Sequence, residues 1–305
     1  MTQTKLPLNL LDNPINPVFA RHETFHPRWG WLNKGFSAAS IDNNIFQAND
    51  APIRLGVGKN MVRSIRYWCN AFKVTDNDDN PSDFGQRLLG ENGWDKYLEN
   101  PASLWLLHWH FLKPSCNGAS WYYTFNLFNE TEFSRDDLLN GLKKFRDEIK
   151  PNIADSSLNK DMTCIFRMYV DTGDDGFVED SIDSPFAGLG LIYQPLHNKN
   201  YRFRFGSKPN LAPEIVVATC LEYASWVSDN QTTISISRLL YDYGSPGLVF
   251  KLTEEALLGA IDTMIRKYDN LFLADTAGLI QLSFNGNPLD LADNILDDFF
   301  LIIDG

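Results

Sequence analysis

The chain has 305 residues, of which 44% are hydrophobic and 22% charged, as is ordinary for a globular protein with a substantial core. No run of eighteen apolar residues occurs, and the first residues lack the apolar segment of a signal peptide, which argues against a membrane-spanning or secreted protein. The four cysteines lie far apart and form no CxxC pair. We therefore expect reduced core thiols in a cytoplasmic protein.

The net charge of −12 argues against a protein whose whole surface binds nucleic acid, but the charge is unevenly distributed. Residues 1–73 carry +5 and the remainder −17, and residues 268–305 contain seven Asp and no Lys or Arg. A basic end on an acidic body concentrates phosphate contacts at that end. We expect the basic end to bind double-stranded DNA, and the acidic body to steer DNA or contact a basic partner protein.

The first 75 residues are predicted to contain short helices and one longer amphipathic helix. Residues 1–18 are rich in Pro and Asn and should run extended, and a short helix around 29–34 should end at Gly35. Gly56 and Gly58 are expected to form a tight turn with φ > 0, for which glycine is suited. After the turn, apolar residues recur at three- and four-residue steps, as on one face of a helix: they are Met61, Ile65, Trp68 or Cys69, and Phe72.

The opposite face of this predicted helix is polar and carries Asn60, Arg63, Arg66, Tyr67 and Asn70. Arg binds phosphate or guanine and Asn binds adenine, so the pattern is typical of the second helix of a helix-turn-helix unit. An ordinary solvated face is an equally weighted alternative. The residues predicted to bind DNA are Arg28, Lys34, Lys59, Asn60, Arg63, Arg66 and Asn70.

Two familiar motifs are rejected in the same region. A phosphate-binding loop needs a glycine five residues before Gly58 and Ser or Thr after Lys59, but Ile53 and Asn60 stand there. The segment His22–His26 matches the zinc-protease pattern H-E-x-x-H, which requires a helix that continues past the second His. Pro27 disfavours helical dihedrals at His26, so we do not expect such a site.

Further elements are predicted from caps and periodicity. Asn100 should cap a helix whose first residue is Pro101, and Ser134 should cap another with Asp137 as its partner. Thr253 should begin a helix that runs to about Tyr268. The remaining predictions are helices at 103–113 and 212–227, a helix or, less favoured, a buried strand at 161–170, strands at 120–128 and 201–205, and a short strand and an acidic helix within 279–303. The acidic loop 171–183 lacks the spacing of an EF-hand.

The absence of regular strand–helix alternation argues against a Rossmann-like fold. The predicted fold is mostly α with short β elements (α+β), built from linked winged-helix or helix-turn-helix-like units. We expect three units: a basic DNA-binding unit at 1–75, a helical winged-helix-like unit at 76–152, and an acidic α+β unit at 153–305.

Several longer segments together resemble a known family. They are 20–25 (ARHETF), 31–35 (WLNKG), 55–68 (LGVGKNMVRSIRYW), 104–109 (LWLLHW), 166–170 (FRMYV), 183–185 (DSP), 189–192 (LGLI) and 245–247 (SPG). The chain resembles the SspB-type family of the bacterial Ssp DNA phosphorothioation system, a domain-of-unknown-function family, over nearly its full length. The resemblance implies a DNA-nicking protein in anti-phage defence. It also implies Ssp-type partners: a cysteine desulfurase, an ATPase and an ATP pyrophosphatase.

Nicking a phosphodiester requires a nucleophile, neutralisation of the phosphate charge and usually a divalent metal. Arg21, His22, Glu23 and Arg28 form the best local set for this chemistry. The arginines would hold phosphate, His22 would act as general base or acid, and Glu23 would bind Mg²⁺ or Mn²⁺. We predict Arg21, His22 and Glu23 as the catalytic residues. The alternative is a structural polar cluster at the entry to the DNA-binding unit.

Two functions remain open from the sequence. One is a metal-dependent DNA nicking endonuclease within a modification complex, which the family resemblance favours. The other is a non-catalytic DNA-binding adaptor that recruits partner enzymes, which the lack of a complete nuclease motif favours. A homodimer is left open.

Overall fold

The computed structural model describes residues 15–171, 184–196, 198–227, 232–276 and 278–303. The helices are α1 Trp31–Ile41, α2 Ala51–Leu55, α3 Lys59–Ala71, α4 Asp83–Leu89, α5 Pro101–Leu112, α6 Ala119–Tyr122, α7 Arg135–Ile149, α8 Asp155–Tyr169, α9 Pro213–Val227, α10 Ile236–Tyr241, α11 Pro246–Val249, α12 Glu254–Ile265 and α13 Pro288–Ile303. The strands are β1 Glu132–Phe133, β2 Val170–Asp171, β3 Ile192–Tyr193, β4 Tyr201–Phe203, β5 Thr233–Ser235, β6 Leu271–Thr276 and β7 Leu279–Phe284. The predicted class, mostly helical with short strands, is confirmed.

Helices α1 and α3 approach closely near the N-terminus. Gly35 lies inside α1 and does not end it, so the predicted helix end was wrong. A Cβ at this position would lie 2.4 Å from the Cys69 sulfur and 2.7 Å from a methyl of Ile65. The glycine is therefore required by the contact between the two helices, which holds α1 against the apolar face of α3.

The turn between α2 and α3 is only partly as predicted. Gly56 has φ 63° and ends α2 in the left-handed region, as expected. Gly58 has φ −67° and ψ 157°, so the positive φ predicted for it was wrong. The amphipathic character of α3 is confirmed, because Val62, Ile65 and Trp68 are buried, and Arg63 is exposed.

The centre of the chain is an aromatic helical core. Every residue of α5 after Pro101 is buried, as its apolar sequence predicted. The strand predicted at 120–128 was wrong, because α6 and a π-helical turn at Tyr123–Leu127 occupy this segment. Asn100 and Ser134 cap α5 and α7 as predicted, and Ser134 forms a capping box with Asp137. Strands β1, β4, β3 and β2 form a small sheet in that order, in which only β2 and β3 are parallel.

The C-terminal part combines helices with a second sheet. Strands β5, β7 and β6 lie in that order and are antiparallel, with Leu273 opposite Leu282 in the β6–β7 pair. Helix α9 packs against both α12 and α13. The helix favoured at 161–170 is confirmed but begins earlier, at Asp155, whereas the predicted helices at 212–227 and after Thr253 and the strand at 201–205 are confirmed within a few residues. The predicted acidic loop lies outside the described residues, apart from Asp171.

One cluster of buried side chains extends from Phe19 to Phe300. It crosses both predicted unit boundaries, and the division at residues 75 and 152 stays a prediction. Arg87 joins α4 to the C-terminal helix α13, because its guanidinium contacts Asp293 at 2.5 Å and Asp297 at 3.0 Å. All four cysteines are buried and unpaired. Within the described ranges, no helix is long and apolar enough to cross a bilayer.

Two buried lysines make the stability of the fold depend on pH. The ammonium of Lys251 donates a hydrogen bond to the Phe125 carbonyl at 2.6 Å, and that of Lys208 donates to the carbonyls of Phe250 and Lys251 at 2.5 and 2.8 Å. Burial lowers the pKa of Lys251 and of Lys208 from 10.5 to about 7. Between pH 7 and 10 these two lysines therefore bind protons in the unfolded chain but not in the folded chain. The contribution of the two lysines to the free energy of unfolding rises with pH over this range.

We expect Lys251→Met to flatten this pH dependence. One lysine that is neutral when folded and charged when unfolded changes the free energy of unfolding by on the order of 1.4 kcal/mol per pH unit. Urea unfolding at pH 7, 8 and 9 should show a smaller rise of stability with pH for this variant than for the parent. The exposed Lys199→Met is the matched control. Equal slopes for Lys251→Met and the parent would contradict the prediction.

Candidate nucleic-acid interface

An open cleft of about 520 Å³ lies between helix α3 and the preceding turn at residues 20–24. Five predicted site residues line it: Arg21, Glu23, Arg63, Arg66 and Asn70. Phe46, Tyr67, Asn77 and Asp79 complete the lining. The structure thus brings two arms of the predicted site together, one from the turn and one from the polar face of α3.

The turn at residues 20–24 has an irregular backbone. The segment His22–His26 is therefore not the helix that a zinc-protease motif would require. Ala20, Glu23 and Thr24 have φ of 53°, 50° and 68°, which lie in the left-handed region that non-glycine residues rarely adopt. Such strain persists only where the surrounding structure enforces it, and it is concentrated at functional sites.

Helix α3 enforces this conformation by binding the backbone of the turn. The Ser64 hydroxyl donates to the His22 carbonyl at 3.0 Å, and the Trp68 indole donates to the Phe25 carbonyl at 3.0 Å. Both donors project from the buried side of α3. The turn is therefore held in a fixed position relative to the arginines on the opposite side of the same helix.

His22 lies beneath the cleft. Its side chain is fully buried, and its Nε2 lies 2.9 Å from Oδ1 of Asp161, which is also fully buried in α8. The same carboxylate accepts hydrogen bonds from the Ala20 amide at 2.8 Å and the Ser120 hydroxyl at 2.6 Å. Three segments, the turn, α6 and α8, therefore meet at one buried carboxylate, and His22 makes no contact with the solvent of the cleft.

The charged groups of the cleft differ in how firmly they are held. Arg63 is 56% exposed, and its guanidinium lies 3.9 Å from the Glu23 carboxylate, a loose contact. Arg66 instead makes a two-point contact with the buried Asp79, with Nε 2.9 Å from Oδ1 and Nη2 2.8 Å from Oδ2. Arg63 and Glu23 are thus available to a ligand, whereas Arg66 has a structural partner.

The uncharged groups of the cleft are already hydrogen-bonded. The Asn70 amide donates to the Asp76 carbonyl at 2.8 Å and accepts from the Asn117 side chain at 2.9 Å. The Tyr67 hydroxyl donates to the Asn117 carbonyl at 3.0 Å. Burial, together with the nearby Asp161 carboxylate, raises the pKa of Tyr67 well above its ordinary value, so this side chain is a neutral phenol.

The other four predicted DNA-binding residues do not line the cleft. Lys59 and Asn60 are exposed at the start of α3. Lys34 donates to the Leu55 carbonyl at 3.0 Å, which ties α1 to the end of α2. The Arg28 guanidinium lies 5.8 Å from the ring centroid of Phe25 and 5.6 Å from that of Trp31.

Three residues that support the cleft were missed in the sequence. Asp161 and Ser120 are far from the turn in the chain, so no local spacing relates them to His22. Asp79 lies in the polar loop at residues 74–82, which the sequence indicates as a candidate boundary between units. The one available signal was the hydroxyl of Ser64, a polar residue on the apolar side of a predicted helix.

The described parts of the chain contain no group of three or more His, Cys, Asp or Glu side chains that could hold a metal ion. Glu23 is the one carboxylate in the lining of the cleft that is not paired at two points with an arginine. These residues do not form a metal cage made of protein ligands alone. They are compatible with a hard cation that shares Glu23 with phosphate oxygens, since Mg²⁺ commonly combines one or two carboxylates with phosphates and waters.

Comparison with known proteins relates the chain to one family. No curated protein matches it. A crystal structure of magnesium ion-bound SspB is similar, with a TM-score of 0.88 and 36% identity over 94% of this chain and 89% of that chain. An SspB crystal structure is 35% identical, with the same TM-score and coverage. The family described as a protein of unknown function, DUF4007, matches residues 19–300. The chain belongs to the DUF4007 family.

Proposed function

We propose that this protein binds double-stranded DNA and nicks it as a component of an Ssp-type phosphorothioate modification and anti-phage defence system. The observation that carries the proposal is the cleft lined by Arg21, Glu23 and Arg63, in which the Arg63 guanidinium lies 3.9 Å from the Glu23 carboxylate. Arginines neutralise phosphate, and a phosphate bound beside the Glu23 carboxylate would supply the further oxygen ligands that a hard cation needs. The similarity to SspB structures over most of both chains supports the same system.

The two arms of the cleft have different proposed roles. Arg63, on the exposed face of α3, and Arg21, on the turn, bind the phosphates of one strand. Glu23 would provide one ligand to Mg²⁺ or Mn²⁺, and phosphate oxygens of the DNA would provide others. The bound cation would polarise the phosphate and activate water. The fixed turn keeps Glu23 at a set distance from the phosphate-binding arginines.

We assign His22 as a positioning residue in place of the predicted general base or acid. A general base must lie within hydrogen-bond reach of the proton that it abstracts, but His22 is fully buried and bonded to Asp161. Its proposed role is to hold the turn against α8 so that Arg21 and Glu23 project into the cleft. The acidic loop at residues 171–183 lies almost wholly outside the described part of the chain.

Two segments have the element order of DNA-binding units. Helices α2 and α3 with the Gly56 turn fit a helix-turn-helix, and α3 is the reading helix in our proposal. The order α9–β5–α10–α11–α12–β6–β7, with the sheet order β5–β7–β6, fits a winged helix that has the short helix α11 as an insertion. Helix α12 begins with Glu254 and Glu255, however, so we assign DNA contact to the N-terminal unit and protein contact to the C-terminal unit.

We expect duplex DNA binding to weaken steeply with salt, despite the acidic pI. Each phosphate contact made by Lys or Arg releases a counterion, so a footprint of about five contacts should lose on the order of 10²-fold or more in affinity between 50 and 200 mM salt. Fluorescence anisotropy with labelled duplexes measures this directly. An affinity that does not change with salt, or no binding at low salt, would contradict a phosphate-binding basic end.

Relaxation of supercoiled plasmid by purified protein, with and without Mg²⁺ or Mn²⁺, tests the nicking activity. We expect open-circular product only with the metal. The second candidate, a non-catalytic adaptor, is favoured by one observation: the described residues form no protein-only metal cage. The adaptor function would be supported if the protein binds DNA in a salt-sensitive way but does not nick it. Nicking should then be absent both with and without the cysteine desulfurase, ATPase and ATP pyrophosphatase partners.

A further inference from the structure

Strand β6 lies at the edge of its sheet and has a neighbour on one side only, β7. The Asn285 amide donates to the Asn270 carbonyl at 2.9 Å, which makes 270 and 285 a hydrogen-bonded pair. Because hydrogen-bonded and non-hydrogen-bonded pairs alternate in an antiparallel ladder, the backbone groups of Leu271, Leu273 and Asp275 point away from β7. The Leu271 amide donates a hydrogen bond to the Tyr268 carbonyl at 3.1 Å.

The remaining edge groups have no backbone partner in the described chain. The sheet contains three strands, and no backbone hydrogen bond from another described segment reaches Leu273 or Asp275. Natural edge strands are usually protected by Lys, Pro, a bulge or a covering segment. β6 has the sequence LFLADT, which contains neither Lys nor Pro.

The side chains beside this edge are apolar and accessible. Phe272 is 44% exposed, Leu273 36% and Leu279, on the adjacent strand, 48%. Phe272 and Leu279 share one face of the hairpin, since their partners in the ladder are Ser283 and Thr276. An unpaired edge beside exposed apolar side chains is the arrangement that binds an extended peptide as an additional strand.

The charge around the edge selects the kind of segment that can bind. Asp269 and Asp275 flank the exposed residues, and residues 268–305 contain seven Asp and no Lys or Arg. Pairing two copies of β6 would bring two such acidic regions together, and like charges in close contact oppose association. A basic segment from a different protein meets no such repulsion.

We propose that the free edge of β6 binds an extended segment of a partner protein in which apolar side chains alternate with Lys or Arg. The apolar side chains would cover Phe272 and Leu279, and the basic ones would approach Asp269 and Asp275. The backbone of the segment would pair with the amide and carbonyl of Leu273. This site is separate from the DNA cleft and does not depend on its proposed chemistry.

The full chain is titrated with a capped Lys-Val-Lys-Val-Lys-Val peptide, and a Glu-Val-Glu-Val-Glu-Val peptide is the charge-reversed control. We expect the basic peptide alone to bind, and the amides of Leu273 and Asp275 to become protected from hydrogen exchange. Absence of binding, equal binding of both peptides, or protection elsewhere would overturn the proposal.

Two variants locate the contact. Leu273→Pro removes an amide that points away from β7, so no hydrogen bond within the sheet is lost. Edge strands tolerate proline at such positions. This variant should abolish binding. Phe272→Thr preserves strand propensity and should weaken binding about tenfold through lost apolar contact, so it tests the site even if the proline variant is unstable. Leu196→Thr, an exposed leucine in another turn, is the control and should bind as the parent does.

Sedimentation of the parent and of Phe272→Thr tests whether a second copy of this chain occupies the edge instead. A parent dimer that Phe272→Thr dissociates would show that a second copy covers the edge, and would overturn the proposal of a basic partner segment. A parent whose sedimentation is unchanged by the substitution is the expected result.

Discussion

Glu23→Gln should reduce metal-dependent nicking by at least about 10²-fold, because the neutral amide is a poor ligand for a hard cation. DNA binding should be unchanged or slightly tighter, since the substitution removes a negative charge from a phosphate-binding cleft. Gln has the same size as Glu and the side chain is partly exposed, so the strained turn should remain folded. Plasmid relaxation, duplex anisotropy and thermal melting measure the three properties separately.

The exposed Glu130→Gln is the matched control and should behave as the parent. The alternative role of Glu23, as part of a structural polar cluster, gives a different result. In that case Glu23→Gln lowers the melting temperature and the DNA affinity together, because the turn that carries Arg21 loses its conformation. Parental nicking by Glu23→Gln would refute the metal assignment and leave residues 172–183 as the next segment to substitute.

The elements with strong local signals could be predicted from the sequence. Helix α3 has one apolar face, and the starts of α5 and α7 have capping residues that need no tertiary information. The segment 120–128 was mistaken for a strand because it is buried on nearly all sides, and a helix buried all round has no 3.6-residue pattern. Its aromatic content then resembles that of a strand.

One part of the candidate site could be predicted from the sequence and another part could not. The presence of Arg21, Glu23 and Arg63 near one another could be inferred from the clustered charge of the first 75 residues. The burial of His22 could not, because Asp161 lies 139 residues away and leaves no local signal. The pairing of Arg66 with Asp79 was also missed, since the polar loop at residues 74–82 was interpreted as a boundary between units. Both gaps concern buried polar partners, which only tertiary contacts determine.

Arg66→Ala should lower the free energy of unfolding by about 2 kcal/mol, because it leaves the Asp79 carboxylate buried without its cation. Asp79 is only 2% exposed, whereas Arg66 is 41% exposed, so we expect less than the full cost of breaking a completely buried pair. From the sequence alone, Arg66→Ala is expected to weaken DNA binding without unfolding the protein. The two-point contact changes that expectation, and urea unfolding measures the effect.

Arg63→Ala is the matched control on the same helix, since Arg63 has only the 3.9 Å contact with Glu23. It should unfold as the parent does and lose DNA affinity, by on the order of 1–3 kcal/mol with reduced sequence preference if it contacts a base. Asp79→Asn should restore part of the stability of Arg66→Ala, because the double variant has no unpaired buried charge. A parental stability for Arg66→Ala would mean that the ion pair is not maintained in solution, and Arg66 would then be available to DNA, as Arg63 is.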